Sequence, residues 1–172
     1  MNTTLGPLYA VSGAPGSGKS TILPHLLKTT AGTVVMDIDE LLEDGQLLGI
    51  PIAVPEATPI WPAYRRMWQQ IIDMTRRAGH PVLLLSPNTP DEIPIPGATG
   101  CLLLDCADDL RAERLRARGD SDRQIEAALE DARHYRGLFD TILKTDDLEP
   151  PAIADQVLAW TRSTPTTSPG HQ

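Results

Sequence analysis

At 172 residues, 41% hydrophobic and 22% charged, the chain reads as one globular domain, long enough to bury a core without disulfides or a structural metal. A formal net charge of −8 argues against a protein that coats nucleic acid through phosphate contacts, so no nucleic-acid partner is expected. No stretch approaches the ~18 apolar residues of a membrane span, residues 1–7 do not form a signal peptide, and two cysteines in or beside one apolar run read as reduced thiols; a cytoplasmic protein with no membrane partner is expected.

From the N-terminus, the apolar run over 8–12 predicts a strand that leads directly into Gly13-Ala14-Pro15-Gly16-Ser17-Gly18-Lys19-Ser20, a full match to G-x-x-x-x-G-K-[ST]. Glycines at these spacings let the backbone curl until successive N–H groups point inward at phosphate oxygens. The helix predicted over 18–30 adds its positive N-terminal end. Lys19 then reaches the β- and γ-phosphates of ATP, Ser20 offers a hydroxyl to Mg²⁺, and Thr21 is placed to touch the α-phosphate. Pro24 falls inside this helix, where it removes one backbone hydrogen bond.

A second strand over 33–37 ends in Asp37-Ile38-Asp39. Alternation in extended chain puts both carboxylates on one side, with Ile38 opposite. At the C-terminal edge of a parallel sheet such a pair can divide the work, one ordering a Mg²⁺ shell and the other taking a proton from a substrate hydroxyl. The competing expectation is that Asp39 caps a helix beginning at Glu40.

The helix over 62–78 places Met67, Ile71, Met74 and Ala78 on a core-facing stripe. Trp61, Tyr64 and Trp68 make a second stripe beside Arg65, read as core packing or as a pocket for a flat or apolar acceptor. Continuous apolar runs predict buried parallel strands at 81–86 and 100–105, with a weaker fifth at 141–145. Helices are expected over 108–118, 121–138 and 151–161. Ser121 and Gln124 form a capping box, beyond which Ile125, Ala128, Leu129, Ala132 and Tyr135 face the core; Gly119 suits the end of the preceding helix.

Arg111, Arg114, Arg116, Arg118 and Arg123 fall within thirteen positions. They read either as a device aimed at a small anion or as a solvated helix face, where Arg111 and Arg116 fit. Arg133 and Arg136, three apart, suit an acidic substrate or plain helix-surface charge. Two proline-rich connections, 48–62 and 87–97, complete the outline.

Strand–helix alternation with right-handed crossovers implies an α/β three-layer sandwich. One domain is expected over 1–161, with a cap at about 40–80 and a lid at about 116–122; the Ser/Thr/Pro-rich tail over 162–172 is expected to be disordered.

The order of P-loop, Asp-x-Asp after strand two and Arg-x-x-x-Arg after strand four resembles the small phosphotransferases of the nucleoside monophosphate kinase superfamily, of the shikimate kinase, gluconate kinase and chloramphenicol phosphotransferase types. The resemblance spans about residues 8–160. It implies five parallel strands in the order 2-3-1-4-5, Mg²⁺ and ATP as cofactors, and a small-molecule hydroxyl acceptor. It also implies that Asp39 contacts that hydroxyl as base and that Arg114 lies by the adenine. A mobile lid then carries Arg118, or in its place Arg123, onto the transferred phosphate. Ala117-Arg118-Gly119-Asp120 is similar to the lid of the chloramphenicol type. An aspartate often closes the third strand in these families, whereas Ser86-Pro87 stands here, so Asp37 or water completes the metal shell.

Catalytic roles are thus expected of Lys19, Asp39 and Arg118, nucleotide contacts of residues 13–21 and Arg114, metal contacts of Ser20 and Asp37, and acceptor contacts of Asp39, Trp61, Arg65 and Arg136. The chain is expected as monomer or homodimer. A nucleoside or nucleotide acceptor is the near alternative. A GTP-type switch, suggested by Leu143-Lys144-Thr145-Asp146, and a non-catalytic nucleotide-binding regulator are the distant ones.

Overall fold

The computed structural model describes residues 5–43, 46–47, 49–51, 55–92 and 97–165. In chain order the elements are β1 (Leu8–Ser12), α1 (Lys19–Thr29), β2 (Val34–Asp37), β3 (Gln46–Leu47), β4 (Ile50–Pro51), α2 (Trp61–Arg77), β5 (Val82–Ser86), β6 (Gly100–Asp105), α3 (Asp108–Arg118), α4 (Asp122–Arg136), β7 (Ile142–Lys144) and α5 (Pro150–Ser163). A 3₁₀ helix, Pro55–Ile60, precedes α2. Among the described residues no helix is long and apolar enough to cross a membrane.

Five strands pair in parallel in the order β2-β5-β1-β6-β7, which is the expected 2-3-1-4-5 once the small β3–β4 hairpin is set aside. β1 and β5 are buried along their whole length because helices cover both faces, so their sequences run apolar without alternation. The two-residue side-chain period then sorts the core. Tyr9, Val11, Leu83 and Leu85 pack toward α1 and α5, while Leu8, Val82 and Leu84 pack toward α2. A separate small cluster, with Ala112, Leu115, Ile125 and Ala128, fastens α3 to α4.

Several details depart from expectation. α2 buries Tyr64, Trp68, Ile72 and Arg76, while Met74 is 60% exposed and Ala78 is exposed. The aromatic stripe carries more apolar area than the methionine stripe beside it, so it takes the core-facing position. Arg76 lies at the helix end, where its Nε donates to Gly6 O at 2.8 Å. No helix begins at Glu40: residues 38–41 form a turn, with Leu42 N donating to Asp39 O at 2.9 Å, so Asp39 caps nothing. α1 runs through Pro24. The tail is ordered further than expected, since α5 continues to Ser163; residues 166–172 lie outside the described residues, as do 48, 52–54 and 93–96 of the proline-rich connections.

α3 ends at Gly119, which adopts φ 93° as its C-cap, and α4 starts from the Ser121–Gln124 capping box. Only three residues separate these two helices.

Candidate active site

Between β1 and α1 the backbone turns through Gly16 at φ 80° and Gly18 at φ 100°, left-handed conformations that glycine adopts without strain. A Cβ on Gly13 would lie 2.4 Å from Ser17 Oγ and 2.8 Å from Leu104 O, so no larger residue fits at the start of the loop. Thr21 N and Ile22 N donate to Gly18 O, opening α1 directly beneath the turn. Ser20 and Thr21 stand exposed on its first turn, placed for a ligand at the helix N-terminus.

The Lys19 ammonium folds back over this turn and donates to Gly13 O. Burial draws its pKa down to about 8; Asp39 and Asp37 oppose that shift, and Arg111 and Arg118 add to it. Lys19 therefore lies within electrostatic reach of both carboxylates of the Asp-x-Asp pair. Ser17 Oγ is buried with no hydrogen-bond partner. An orphaned hydroxyl and a partly desolvated cation in a left-handed glycine turn suit a polyanionic ligand.

The first carboxylate, Asp37, is buried at the end of β2, and burial raises its pKa. Its Oδ1 accepts from Asp39 N at 3.0 Å, which fixes the turn that brings Asp39 to the surface. Crowding by protein raises the Asp39 pKa as well, partly offset by Lys19. Ile38 points away into the α2 core, and Tyr64 OH donates to Ile38 O, tying α2 to the turn. Asp37 and Ser20 offer only oxygen donors, the set that Mg²⁺ takes alongside water and phosphate.

β5 lies between the aspartate strand and the P-loop strand, so its C-terminal end abuts both. Ser86 Oγ donates to Asn88 Oδ1 at 2.5 Å and accepts from Asn88 N at 3.0 Å. Ser12 Oγ donates to Asn88 O at 2.5 Å. The strand end where the resemblance led to an expected aspartate is thus filled by a serine–asparagine turn bound to the root of the glycine-rich loop. Sequence reasoning named Ser86 and missed Asn88, whose only signal is its place two residues beyond the strand.

On the far side of β1, Arg111 is fully buried, which corrects its reading as a solvated helix charge. Its Nη1 donates to Ala14 O at 3.3 Å and Pro15 O at 2.7 Å, and its Nη2 donates to Asp105 Oδ1 at 2.7 Å. Asp105 also accepts from Arg136 Nε at 2.7 Å and Lys144 Nζ at 2.5 Å. Burial alone would raise the Asp105 pKa, but hydrogen bonds from Arg136 and Lys144 hold it at about 2. Arg136 is bound further by Asp108 at 2.7 Å. Tyr135, one residue earlier on α4, donates from its hydroxyl to Pro87 O just beyond β5, while the Arg136 charge is engaged by Asp105 and Asp108.

Arg114 lies beside the loop, donating to Gly16 O at 3.2 Å and to Thr145 O at 3.4 Å. Asp146 Oδ1 accepts from Ala107 N at 2.6 Å, and Leu143 packs against the core. Leu143 offers no polar group at the position where the guanine-reading Asn-Lys-x-Asp carries one.

Arg118 is 60% exposed and Arg123 lies on the surface just beyond the Ser121 cap. Trp61, 38% exposed, meets Tyr64 edge-on at 6.1 Å, and Tyr64 meets Trp68 at 6.4 Å; the latter two belong to the core. Trp61 and Arg65 line an open cavity of about 460 Å³ on the outer side of α2, with Thr58, Pro62, Arg66 and Gln69.

Solved structures share this fold along nearly the whole chain. A shikimate kinase from Acinetobacter baumannii in complex with shikimate is 19% identical, with a TM-score of 0.61, over 96% of this chain and 97% of that one. The tunicamycin resistance protein of Deinococcus radiodurans is 21% identical, with a TM-score of 0.62, over 91% and 95%. A sugar kinase from Janibacter sp. is 18% identical, with a TM-score of 0.57, over 96% and 99%. A comparison with curated protein sequences finds no match. The AAA domain family matches residues 10–135, from within β1 to the last turn of α4 and so across the phosphate loop, both aspartates and the arginine helix. The chain belongs to the AAA domain family.

Proposed function

We propose that the protein is an ATP-dependent phosphotransferase that moves the γ-phosphoryl group onto a hydroxyl of a small molecule. One observation carries this reading: Lys19 of the phosphate loop lies within electrostatic reach of two carboxylates, Asp37 and Asp39, at the end of a nearby parallel strand. A cation that holds phosphate and a carboxylate that can take a proton are what transfer to an alcohol needs at one place.

In this reading the loop amides and Lys19 hold the β- and γ-phosphates, and Arg114 flanks the base. Ser20 and Asp37 would hold Mg²⁺, which when bound would neutralise phosphate charge. Asp39 accepts the proton of the acceptor hydroxyl as its oxygen bonds to the γ-phosphorus and the bond to the β-phosphate oxygen breaks, releasing ADP. The raised pKa of Asp39 makes it a stronger base than an ordinary carboxylate. Arg118 swings onto the phosphoryl oxygens as charge develops.

A nucleoside or nucleotide acceptor is favoured by the cavity on α2, where a Trp61 indole stands beside Arg65 and Arg66, a ring and two cations suited to a flat anion. An acceptor screen with purified protein and Mg·ATP, reading phosphorylated product by ³¹P NMR, tests both. Product from simple alcohols or sugars supports the first acceptor class, and product from nucleosides or nucleotides supports the second. Tight Mg·ATP binding with no product and no acceptor-stimulated ADP release would overturn the enzyme reading in favour of a nucleotide-binding regulator.

A further inference from the structure

We propose that Arg111 is a positioning residue for phosphate binding, a strut beneath the loop that turns its amides toward the ligand. This inference rests on the nucleotide-binding reading of the site.

The trans peptide unit is planar, and its N–H points opposite to its C=O. Arg111 Nη1 holds Pro15 O at 2.7 Å, which directs the Gly16 N–H away from the guanidinium and out of the loop's floor. Thr145 Oγ1 holds Ser17 O at 3.3 Å and does the same for the Gly18 N–H. Among the described residues neither glycine N–H donates to the protein, so both remain for a ligand. The stem of Arg111 also fills the space behind the turn: a Cβ on Gly16 would come within 3.1 Å of Arg111 Cγ.

Stability alone gives a poor account of an arginine here. A buried ion pair is often replaced by apolar residues of similar volume without loss of stability. Arg111 makes the exchange more favourable still, because its Nε is buried with no partner. The charge has a clear use beside a polyanion. Around Asp105 and Asp108, two carboxylates face four cations, namely Arg111, Arg133, Arg136 and Lys144. The surplus is positive, and Arg111 is the member that reaches the phosphate loop.

Calorimetric titration of the full chain with Mg·ATP, Mg·ADP and AMP tests this, using the parent, Arg111→Met, Arg111→Lys and the exposed control Arg116→Met, each held below its own unfolding temperature. Arg111→Met should weaken Mg·ATP binding at least tenfold, with a smaller loss for ADP and least for AMP. Arg111→Lys, which keeps the charge but loses the fork, should recover part of that loss, and Arg116→Met should stay within twofold of the parent. Parent-like Mg·ATP affinity in folded Arg111→Met would overturn the proposal. So would an equal loss in the Met and Lys variants that is also equal for ATP and AMP, since that reports general loosening. Should Arg111→Met not fold, Arg111→Lys decides alone: a loss of threefold or more, larger for ATP than for ADP, supports the strut, and any smaller change rejects it. A parent that does not bind Mg·ATP would instead reject the nucleotide reading itself.

Discussion

Arg118 and Asp120 face each other across the Gly119 turn, with Arg118 Nε 2.8 Å from Asp120 Oδ2. The arginine that ends α3 thus rests on a carboxylate of the turn that follows it, and in the proposed role it would exchange that anion for a phosphoryl oxygen. An interaction made only as charge develops lowers the barrier without tightening ground-state binding. Arg118→Ala should therefore lower kcat by on the order of 10² with a smaller effect on ATP affinity. Arg114→Ala, beside Gly16 and Thr145, should mainly raise the KM for ATP. Single-turnover rates of both, with Arg123→Ala as the third variant, check the assignment. Normal chemistry in Arg118→Ala beside a collapsed step in Arg123→Ala would move the role five residues along.

Lys19 makes nucleotide binding sensitive to alkali. In the free protein its ammonium loses its proton near pH 8, chiefly because it is buried. A bound triphosphate raises that pKa, so the bound state keeps a proton that the free state gives up. Affinity for Mg·ATP is then full below about pH 8 and falls as pH rises through it, with proton uptake on binding. Calorimetry in buffers of different ionisation enthalpy reads the uptake directly. Lys19→Ala should abolish both the pH dependence and most of the binding; unaltered Mg·ATP affinity in the folded variant would remove the basis of the site.

The two aspartates should separate by ligand. Asp39→Asn removes the proposed proton acceptor and one of the two carboxylates that support the Lys19 charge, so below neutral pH, where Lys19 stays protonated, ATP binding should stay near parental while turnover collapses. Asp37→Ala removes the carboxylate proposed to hold the metal and should raise the Mg²⁺ concentration needed for half-maximal activity. Titrating Mg²⁺ against both variants checks this. Rescue of Asp39→Asn by metal, with Asp37→Ala indifferent to it, would exchange the two roles.

The phosphate loop was legible because its chemistry is local: eight consecutive residues carry the glycines, the lysine and the helix start. The buried parallel strands were legible for a similar reason, since β1, β5 and β6 are apolar along nearly their whole length, whereas their order came from the family resemblance and not from the runs themselves. Arg111 was not, because the carbonyls it holds lie 96 and 97 residues away and helical spacing alone cannot tell a buried arginine from a solvated one. On α2 two apolar stripes compete one residue out of phase. Ranking them needs the ring packing of Tyr64 and Trp68 against Met36, Ile38 and the β5 side chains. The β3–β4 hairpin has two-residue strands whose described residues are half-buried or exposed, too short to leave a periodic trace.

Asp105 should dominate stability in acid. Its carboxyl titrates at about 2 in the folded chain against an ordinary value of 3.8, so its contribution is present above about pH 4 and is lost as pH falls through 2. Asp105→Asn should flatten that limb of the urea-unfolding profile. At pH 7 the variant should lose about 3 kcal/mol or more, because Arg111 is left buried without a counter-charge. An unchanged acid limb would show that another carboxylate governs it.

The three-residue join between α3 and α4 bears on how economically the protein would spend ATP. In the proposed phosphotransferase so short a lid would cover little of the triphosphate, and shielding from water would fall to the acceptor itself and to the segment built on α2. An empty acceptor site then leaves the γ-phosphorus open to hydrolysis, and a truncated acceptor that lacks bulk would stimulate futile turnover more than transfer. Fidelity in such a protein is a matter of who fills the cleft: the ratio of product formed to ADP released should climb with the size of the acceptor, even among compounds that present the same hydroxyl.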